Sequence, residues 1–361
     1  MDLQAKPHIS HLPAPVHGGI HSAVVKGRPV DAGALIDFST CLNPYGPSPA
    51  VKRALQSAGI DSYPDPESGA LLGRLAARLN TGPSSLIAGS GSTELIRLAA
   101  LAYLDTDDCA VTLFPTYGEY ELACRIMNAR VCQFPLYEQA GFRLDVDEFI
   151  AYSNALEPQA VFLCNPNNPT GQYLSFYDVV RIVDAFPSTL VILDEAYISF
   201  TEEAWDSTAL VEFGNVLIVR SMTKDYGLAG LRLGYAVATP DIIQNMKKVR
   251  PPWNVSSPAQ QAGTAALKDE SYISRCSTNI DSAKRYLVEA LTGLGYSIVP
   301  SQTNFFMVRV GDAAQYQAAL LTKGFLVRDC TSFGCPEYIR IAPRRMQDCR
   351  RLVKAMCDLR S

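Results

Sequence analysis

Lys224 lies in Ser221-Met-Thr-Lys-Asp-Tyr-Gly-Leu-Ala-Gly-Leu-Arg232-Leu-Gly-Tyr235, where hydroxyls, a lysine and an arginine follow directly on an apolar run. A primary amine so placed can form a Schiff base with an aldehyde, and Ser221, Thr223 and Arg232 suit a dianionic phosphate beside it. The plain alternative is a surface loop with a solvated lysine, so support must come from elsewhere. Asp194 ends the apolar run of Val191-Ile-Leu-Asp-Glu-Ala-Tyr197, at the strand edge where open α/β sheets take ligands. A carboxylate at that depth needs a cation, and a protonated ring nitrogen is a suitable one. Its bland duty would be to cap a helix.

An aldehyde, a phosphate and a ring nitrogen together describe pyridoxal phosphate, and other segments supply the remaining contacts. Asn165-Pro-Asn-Asn168-Pro-Thr-Gly171 aims an amide from another strand end, and by itself is a Pro-rich turn. Asn168 and the Tyr197 hydroxyl are placed to donate hydrogen bonds to the ring phenolate. Gly89-Ser-Gly91-Ser92-Thr93-Glu94 is a Gly-rich turn opening a helix, whose free N–H groups suit a phosphate. Tyr117, in Pro115-Thr-Tyr-Gly, offers a ring for the pyridine face, although an aromatic there often only packs.

Positioning such groups requires strand ends in a common plane. Short runs rich in β-branched residues recur at Leu86–Ala88, Ala110–Phe114, Arg130–Phe134, Ala160–Cys164, Leu190–Asp194, Val216–Arg220 and Leu233–Ala238. Helical patterns alternate with them, as at Leu71, Leu72, Leu75 and Leu79, so an α/β domain with a mostly parallel sheet is expected. After Pro251-Pro252 a helical stretch from about Pro258 to Leu294 precedes Ser297–Val299, Phe305–Val310, Phe325–Arg328 and Tyr338–Ile341, the pattern of a smaller α+β domain. The expected division is an arm over 1–45 that packs with the small domain and the active site, a large domain over 46–255 and a small domain over 256–361.

Composition narrows the partners. The chain has 361 residues, and 32 basic against 36 acidic side chains give a net charge of −4, which offers no bulk field for nucleic acid or an anionic membrane. No apolar run is long enough to span a bilayer, and the start carries no export pattern, so a cytoplasmic protein is expected. The ten cysteines lack a CxxC pair and read as reduced thiols; a metal site on Cys330, Cys335 and a histidine lacks matching partners, and no metal is expected.

These segments, taken together, resemble the fold-type I pyridoxal-phosphate enzymes of the aspartate aminotransferase superfamily, in the branch that holds histidinol-phosphate aminotransferases and threonine-phosphate decarboxylases. The resemblance runs over essentially the whole chain and implies a large domain built on a seven-stranded sheet. His17-Gly-Gly19 with Asp37-Phe-Ser39 and Asn43-Pro-Tyr-Gly46, Pro252-Trp-Asn-Val255, and Val327-Arg328-Asp-Cys-Thr-Ser-Phe-Gly334 resemble the decarboxylases of cobalamin synthesis more than the aminotransferases. Ser90, where Asn is frequent, and Cys41 depart from that pattern. The resemblance implies that Arg340 holds an α-carboxylate and that Arg328, His17 and Asn43 hold a substrate phosphate. It also implies a homodimer in which Tyr63 reaches the neighbouring cofactor. The implied reaction is decarboxylation of L-threonine O-3-phosphate to (R)-1-aminopropan-2-yl phosphate. The alternatives are histidinol-phosphate transamination, a decarboxylase preferring serine phosphate, or an inert binding protein of the same fold.

Overall fold

The structure is a computed structural model that describes residues 3–12, 16–22 and 34–360. The parts of the expected arm at 1–2, 13–15 and 23–33, together with Ser361, lie outside the described residues.

Strands that are apolar along their whole length must be covered on both faces. In chain order the first eight strands are β1 (Ile36–Asp37), β2 (Leu86–Gly89), β3 (Cys109–Phe114), β4 (Arg130–Pro135), β5 (Ala160–Cys164), β6 (Leu190–Asp194), β7 (Val216–Ser221) and β8 (Gly234–Val237), of which the central ones are of this kind. The last seven form one sheet in the order β2-β8-β7-β6-β5-β3-β4. β8 is antiparallel to both of its neighbours, and the remaining pairings are parallel. Every residue of β5 and β6 is buried, because helices lie on either side. One face packs Leu95, Ile96 and Leu98 of the helix Ser92–Tyr103 against Ile87, Phe162 and Ile192. The other packs Leu71, Leu75, Val179 and Ile182 against Val161, Val191 and Ile218. This is the expected α/β arrangement, with parallel strands ending along one edge.

The expected helix from Pro258 to Leu294 is instead two helices, Ser257–Ala266 and Glu270–Gly293. They serve different cores. Ala259, Ala262 and Ala266 pack into the apolar cluster of the large sheet, whereas Ala283, Leu287 and Leu291 pack with Leu352 and Met356 of the last helix, Met346–Asp358. A break at 267–269 lets the chain turn from one core to the other.

Beyond it lie β9 (Ser297–Ile298), β10 (Phe306–Arg309), β11 (Phe325–Leu326), β12 (Arg328–Asp329) and β13 (Tyr338–Ile341). The expected strand Phe325–Arg328 is thus split in two. β11 pairs in parallel with β1 from the beginning of the chain, while β12 joins an antiparallel sheet of order β12-β13-β10-β9. The split places an early segment of the chain against the small domain. Earlier still, Pro7–Ser10 forms one helical turn within the expected arm.

Candidate active site

The register of β8 sets the centre of the site. Gly234 is paired with Gly89 at the end of β2 and with Ser221 at the end of β7, so the turn 89–93 and the segment 221–224 meet there. A Cβ at 234 would lie 2.8 Å from the Ser92 nitrogen, which only glycine avoids. Gly91 has φ +84, and a Cβ there would stand 2.7 Å from Arg232 Nη2. The helix Ser92–Tyr103 therefore starts facing the Arg232 guanidinium, with no side chain capping its first N–H groups. Ser221 Oγ and Thr223 Oγ1 lie 2.6 Å apart beside it. Backbone N–H donors, hydroxyls and a guanidinium converge as a phosphate cradle does.

A cavity of about 1050 Å³ opens from this cradle. Ser92, Thr93, Tyr117, Asn168, Asp194, Tyr197, Thr223, Lys224 and Arg232 line it, as do His17, Arg328 and Arg340. Tyr117 Oη is 3.2 Å from Thr93 Oγ1, and burial raises its pKa to about 12. Lys224 is partly buried, and the loss of solvent lowers its pKa, which favours the neutral, nucleophilic amine. Its Nζ stands 5.5 Å from the centre of the Tyr197 ring. Burial raises the Tyr197 hydroxyl well above its ordinary value, so it remains a donor.

Asp194 ends β6 at 2% exposure. Burial pushes its carboxyl above the ordinary value, against the pull of a hydrogen bond from Tyr120 and the Lys224 charge. Tyr120 Oη donates to Oδ2 (2.7 Å) and the Ala196 N–H to Oδ1 (3.0 Å). A buried carboxylate with this donor set still gains from a cation, and a pyridinium N–H supplies one. The residues present therefore fit pyridoxal phosphate: a carboxylate seeking a cation, a depressed lysine and an anion cradle within one cavity.

The two small-domain arginines sit side by side, Arg328 on β12 opposite Arg340 on β13. Arg340 is 6% exposed, donates from Nη1 to Asn168 Oδ1 and from Nη2 to the Ser39 carbonyl (2.8 Å), and its Nε has no partner. Arg328 Nη2 donates to the Val16 carbonyl (2.8 Å) and to Ser332 Oγ (2.6 Å). Burial, then the neighbouring Arg340 charge, lowers the Arg328 pKa. Among the described residues neither arginine has a carboxylate within ion-pair distance, so both suit oxyanions brought in by a ligand.

Two expected residues stand elsewhere. Asn43 is buried but does not line the cavity; its Nδ2 donates to the Asp225 carbonyl (2.9 Å) and its Oδ1 accepts from the Tyr45 N–H (3.0 Å). With one amide N–H and the amide oxygen committed to backbone, Asn43 braces the main chain, whereas the resemblance assigns it to the substrate phosphate. Tyr63 is 78% exposed, stacks on Trp253 with ring centres 4.3 Å apart, and does not line the cavity of its own chain. His17 does line it, with Nε2 3.1 Å from Glu119 Oε1.

Tyr120 and Glu119 escape sequence reasoning. Tyr120, within the helix Glu119–Ile126, reads as core packing, and only the fold reveals its hydroxyl on Asp194. Glu119 is 2% exposed and binds Arg97 as well as His17, and these contacts hold its carboxyl below the usual range. Among the described residues no three His, Cys, Asp or Glu side chains cluster as a metal site needs, and Cys330 and Cys335 are buried free thiols.

Fold and site together define a pyridoxal-phosphate enzyme of fold type I. The sequence model for aminotransferase class I and II matches residues 34–356, and the chain belongs to that family. A histidinol-phosphate aminotransferase from Symbiobacterium thermophilum is 37% identical over 344 residues, covering 92% of this chain and 94% of that one. The Bacillus subtilis enzyme of the same name is 34% identical, over 87% and 91%. The crystal structure of a Sinorhizobium meliloti histidinol-phosphate aminotransferase with pyridoxal 5'-phosphate is similar at TM-score 0.88 and 26% identity, over 99% and 98%. An L-threonine-O-3-phosphate decarboxylase from Porphyromonas gingivalis is similar at TM-score 0.79 and 29% identity, over 90% and 99%. The cofactor is pyridoxal 5'-phosphate. No helix among the described residues is long and apolar enough to cross a membrane.

Proposed function

We propose that this enzyme acts on a phosphorylated amino acid, and that its reaction is decarboxylation of L-threonine O-3-phosphate. The observation that carries the substrate class is the cross-strand pair Arg328 and Arg340, two buried guanidiniums on one wall of the cavity with no carboxylate partner among the described residues, while decarboxylation rests on the resemblance of the His17, Asp37–Gly46 and Val327–Gly334 segments. Such a pair matches two oxyanions joined by the short Cα–Cβ–O bridge of a phosphothreonine. Arg340 is assigned the α-carboxylate; Arg328, with Ser332 and His17 beside the cavity, is assigned the phosphate.

When bound, the cofactor supplies an electron sink through its protonated ring. Asp194 holds the ring nitrogen, and Asn168 and Tyr197 donate to the ring oxygen. Gly91, Ser92, Thr93, Ser221, Thr223 and Arg232 hold the phosphate. Lys224 is the attachment point, and its Nζ returns a proton to the substrate Cα once the carboxyl group has left as carbon dioxide. The arginine pair would fix the orientation of the substrate's Cα bonds, and so which of them breaks.

A second reading, histidinol-phosphate transamination with glutamate, is favoured by the curated relatives, which carry that name at up to 37% identity. The same arginines would then alternate between a phosphate and the carboxylates of glutamate. One experiment separates the two. The purified holoenzyme is given L-threonine O-3-phosphate, L-serine O-phosphate, and histidinol phosphate with 2-oxoglutarate, and products are identified. Carbon dioxide and aminopropan-2-yl phosphate formed without 2-oxoglutarate support the lyase. Glutamate formed from histidinol phosphate, with no carbon dioxide from either phosphoamino acid, establishes the transaminase instead. Faster turnover of serine phosphate would reassign the substrate, since one methyl contact discriminates by only about 1–3 kcal/mol. No product from any of them would leave an inert binding protein.

A further inference from the structure

We propose that Asn43 is a positioning residue for Lys224, a clamp on the backbone that carries the amine and not a ligand of the substrate. The proposal rests on the reading of Lys224 as the cofactor's attachment point.

Two successive carbonyls of the lysine segment are held by this one residue. The Asn43 N–H donates to the Lys224 carbonyl (2.9 Å), and Asn43 Nδ2 donates to the Asp225 carbonyl (2.9 Å). The amide is itself fixed, because Oδ1 accepts from the Tyr45 N–H and the Asn43 carbonyl accepts from the Gly46 N–H (3.2 Å). The two segments also touch further on. A Cβ at Gly227 would lie 2.5 Å from the carbonyl carbon of Gly46, and Gly227 has φ +68, so glycine is required on both counts.

A third element closes the clamp from the other side. Ser199 Oγ donates to Asp225 Oδ2 (2.7 Å), and Ser199 lies in the turn Ile198–Phe200, which immediately follows Tyr197. The backbone of Lys224 is therefore tied on one side to the segment entering from the arm and on the other to the segment that presents Tyr197 to the cavity. Lys224 Nζ must reach one carbon atom in one orientation, and the peptide beneath it is the part that needs fixing. Asparagine suits this role because its carboxamide accepts from one backbone group while donating to another, whereas the isosteric aspartate cannot donate.

The test compares the holoenzyme with Asn43→Asp and with Asn43→Ala, which keeps the backbone donor and removes both side-chain contacts. The visible band of the bound cofactor is titrated with pH in the absence of substrate, and kcat and KM are then measured with whichever phosphorylated substrate the enzyme turns over. The expected result for both variants is a displaced titration midpoint and a kcat lower by about tenfold or more, with KM changed by less than about twofold. A substrate ligand gives the reverse: an unmoved band, unchanged kcat and a raised KM, which overturns the clamp, as does no change in any of the three. Borohydride reduction of the wild-type holoenzyme and peptide mapping come first. Label on a lysine other than 224 overturns the reading and the clamp with it. Label on Lys224 followed by an unmoved band in both variants overturns the clamp alone.

Discussion

Asp225 adjoins Lys224, and its own carboxylate accepts from Ser199 Oγ and the Tyr226 N–H. Burial raises its pKa from 3.8 to about 6. A carboxyl group raised in the folded state favours folding while both states are protonated, below about pH 4. That advantage is lost as pH rises through the folded value, because the unfolded chain ionises first. Asp225→Asn should therefore stabilise the cofactor-free protein at neutral pH by about 3 kcal/mol while leaving it unchanged at pH 4, the shift from 3.8 to about 6 setting the size. Urea unfolding at both pH values checks this; equal stabilisation at both would rule it out. Tyr120 offers a second residue-level test through its hydroxyl on Asp194. Tyr120→Phe removes one hydrogen bond to a charged group, about 1.5–3 kcal/mol, so kcat/KM should fall by about tenfold to a hundredfold. A ratio within twofold of wild type would show that Asp194 does not depend on this donor.

At the level of elements, the ends of β2, β6 and β7 hold the site, and two of their joints are open to trial. Gly91→Ala forces a side chain into the left-handed region and against Arg232, so cofactor affinity should fall about tenfold or more, measured by equilibrium dialysis. Unchanged affinity would mean that Arg232 does not belong to the cradle. Behind the sheet edge, Arg220 on β7 donates from Nε to Glu195 Oε2 (2.8 Å), and Glu195 is almost wholly buried beside Asp194. Arg220→Ala strands that carboxylate, and denaturant unfolding should show a loss of about 3–5 kcal/mol. The strands were legible in the sequence because continuous apolar runs such as Val191–Leu193 admit few other places in a fold. Lys224, Asp194 and Arg232 were legible because their chemistry is specific and each adjoins such a run. The break at 267–269 was not, since Ala266-Leu-Lys-Asp269 carries no Pro or Gly and only the competition of two cores interrupts the helix. The backbone role of Asn43 is illegible for a related reason: the carbonyls it holds are main-chain groups, which leave no mark on side-chain identity.

For the whole molecule, Tyr63 is the residue that a single chain leaves unexplained, an exposed ring stacked on Trp253 outside its own cavity. If two copies share their sites through it, Tyr63→Ala and Lys224→Ala chains should each be nearly inactive, yet mixed dimers of the two should recover activity. Each mixed dimer would hold one site with Lys224 intact and Tyr63 supplied by the other chain. Absence of recovery, with mixed dimers shown to form, would mean that Tyr63 serves only its own chain.

The pairing of β1 with β11, and the bond from Arg328 to the Val16 carbonyl 312 residues away, bear on how the protein is made. The segment that carries Val16 and β1 is synthesised well before these partners, and until they follow, its footholds, such as His17 on Glu119, lie in the large domain. The large sheet can assemble during synthesis from neighbouring strands, whereas the cavity wall that carries Arg328 is completed later, by a bond between residues 312 positions apart. A nascent chain stalled before Phe325 should thus already possess a folded sheet, while residues 34–38 are cut by protease faster than in the finished protein.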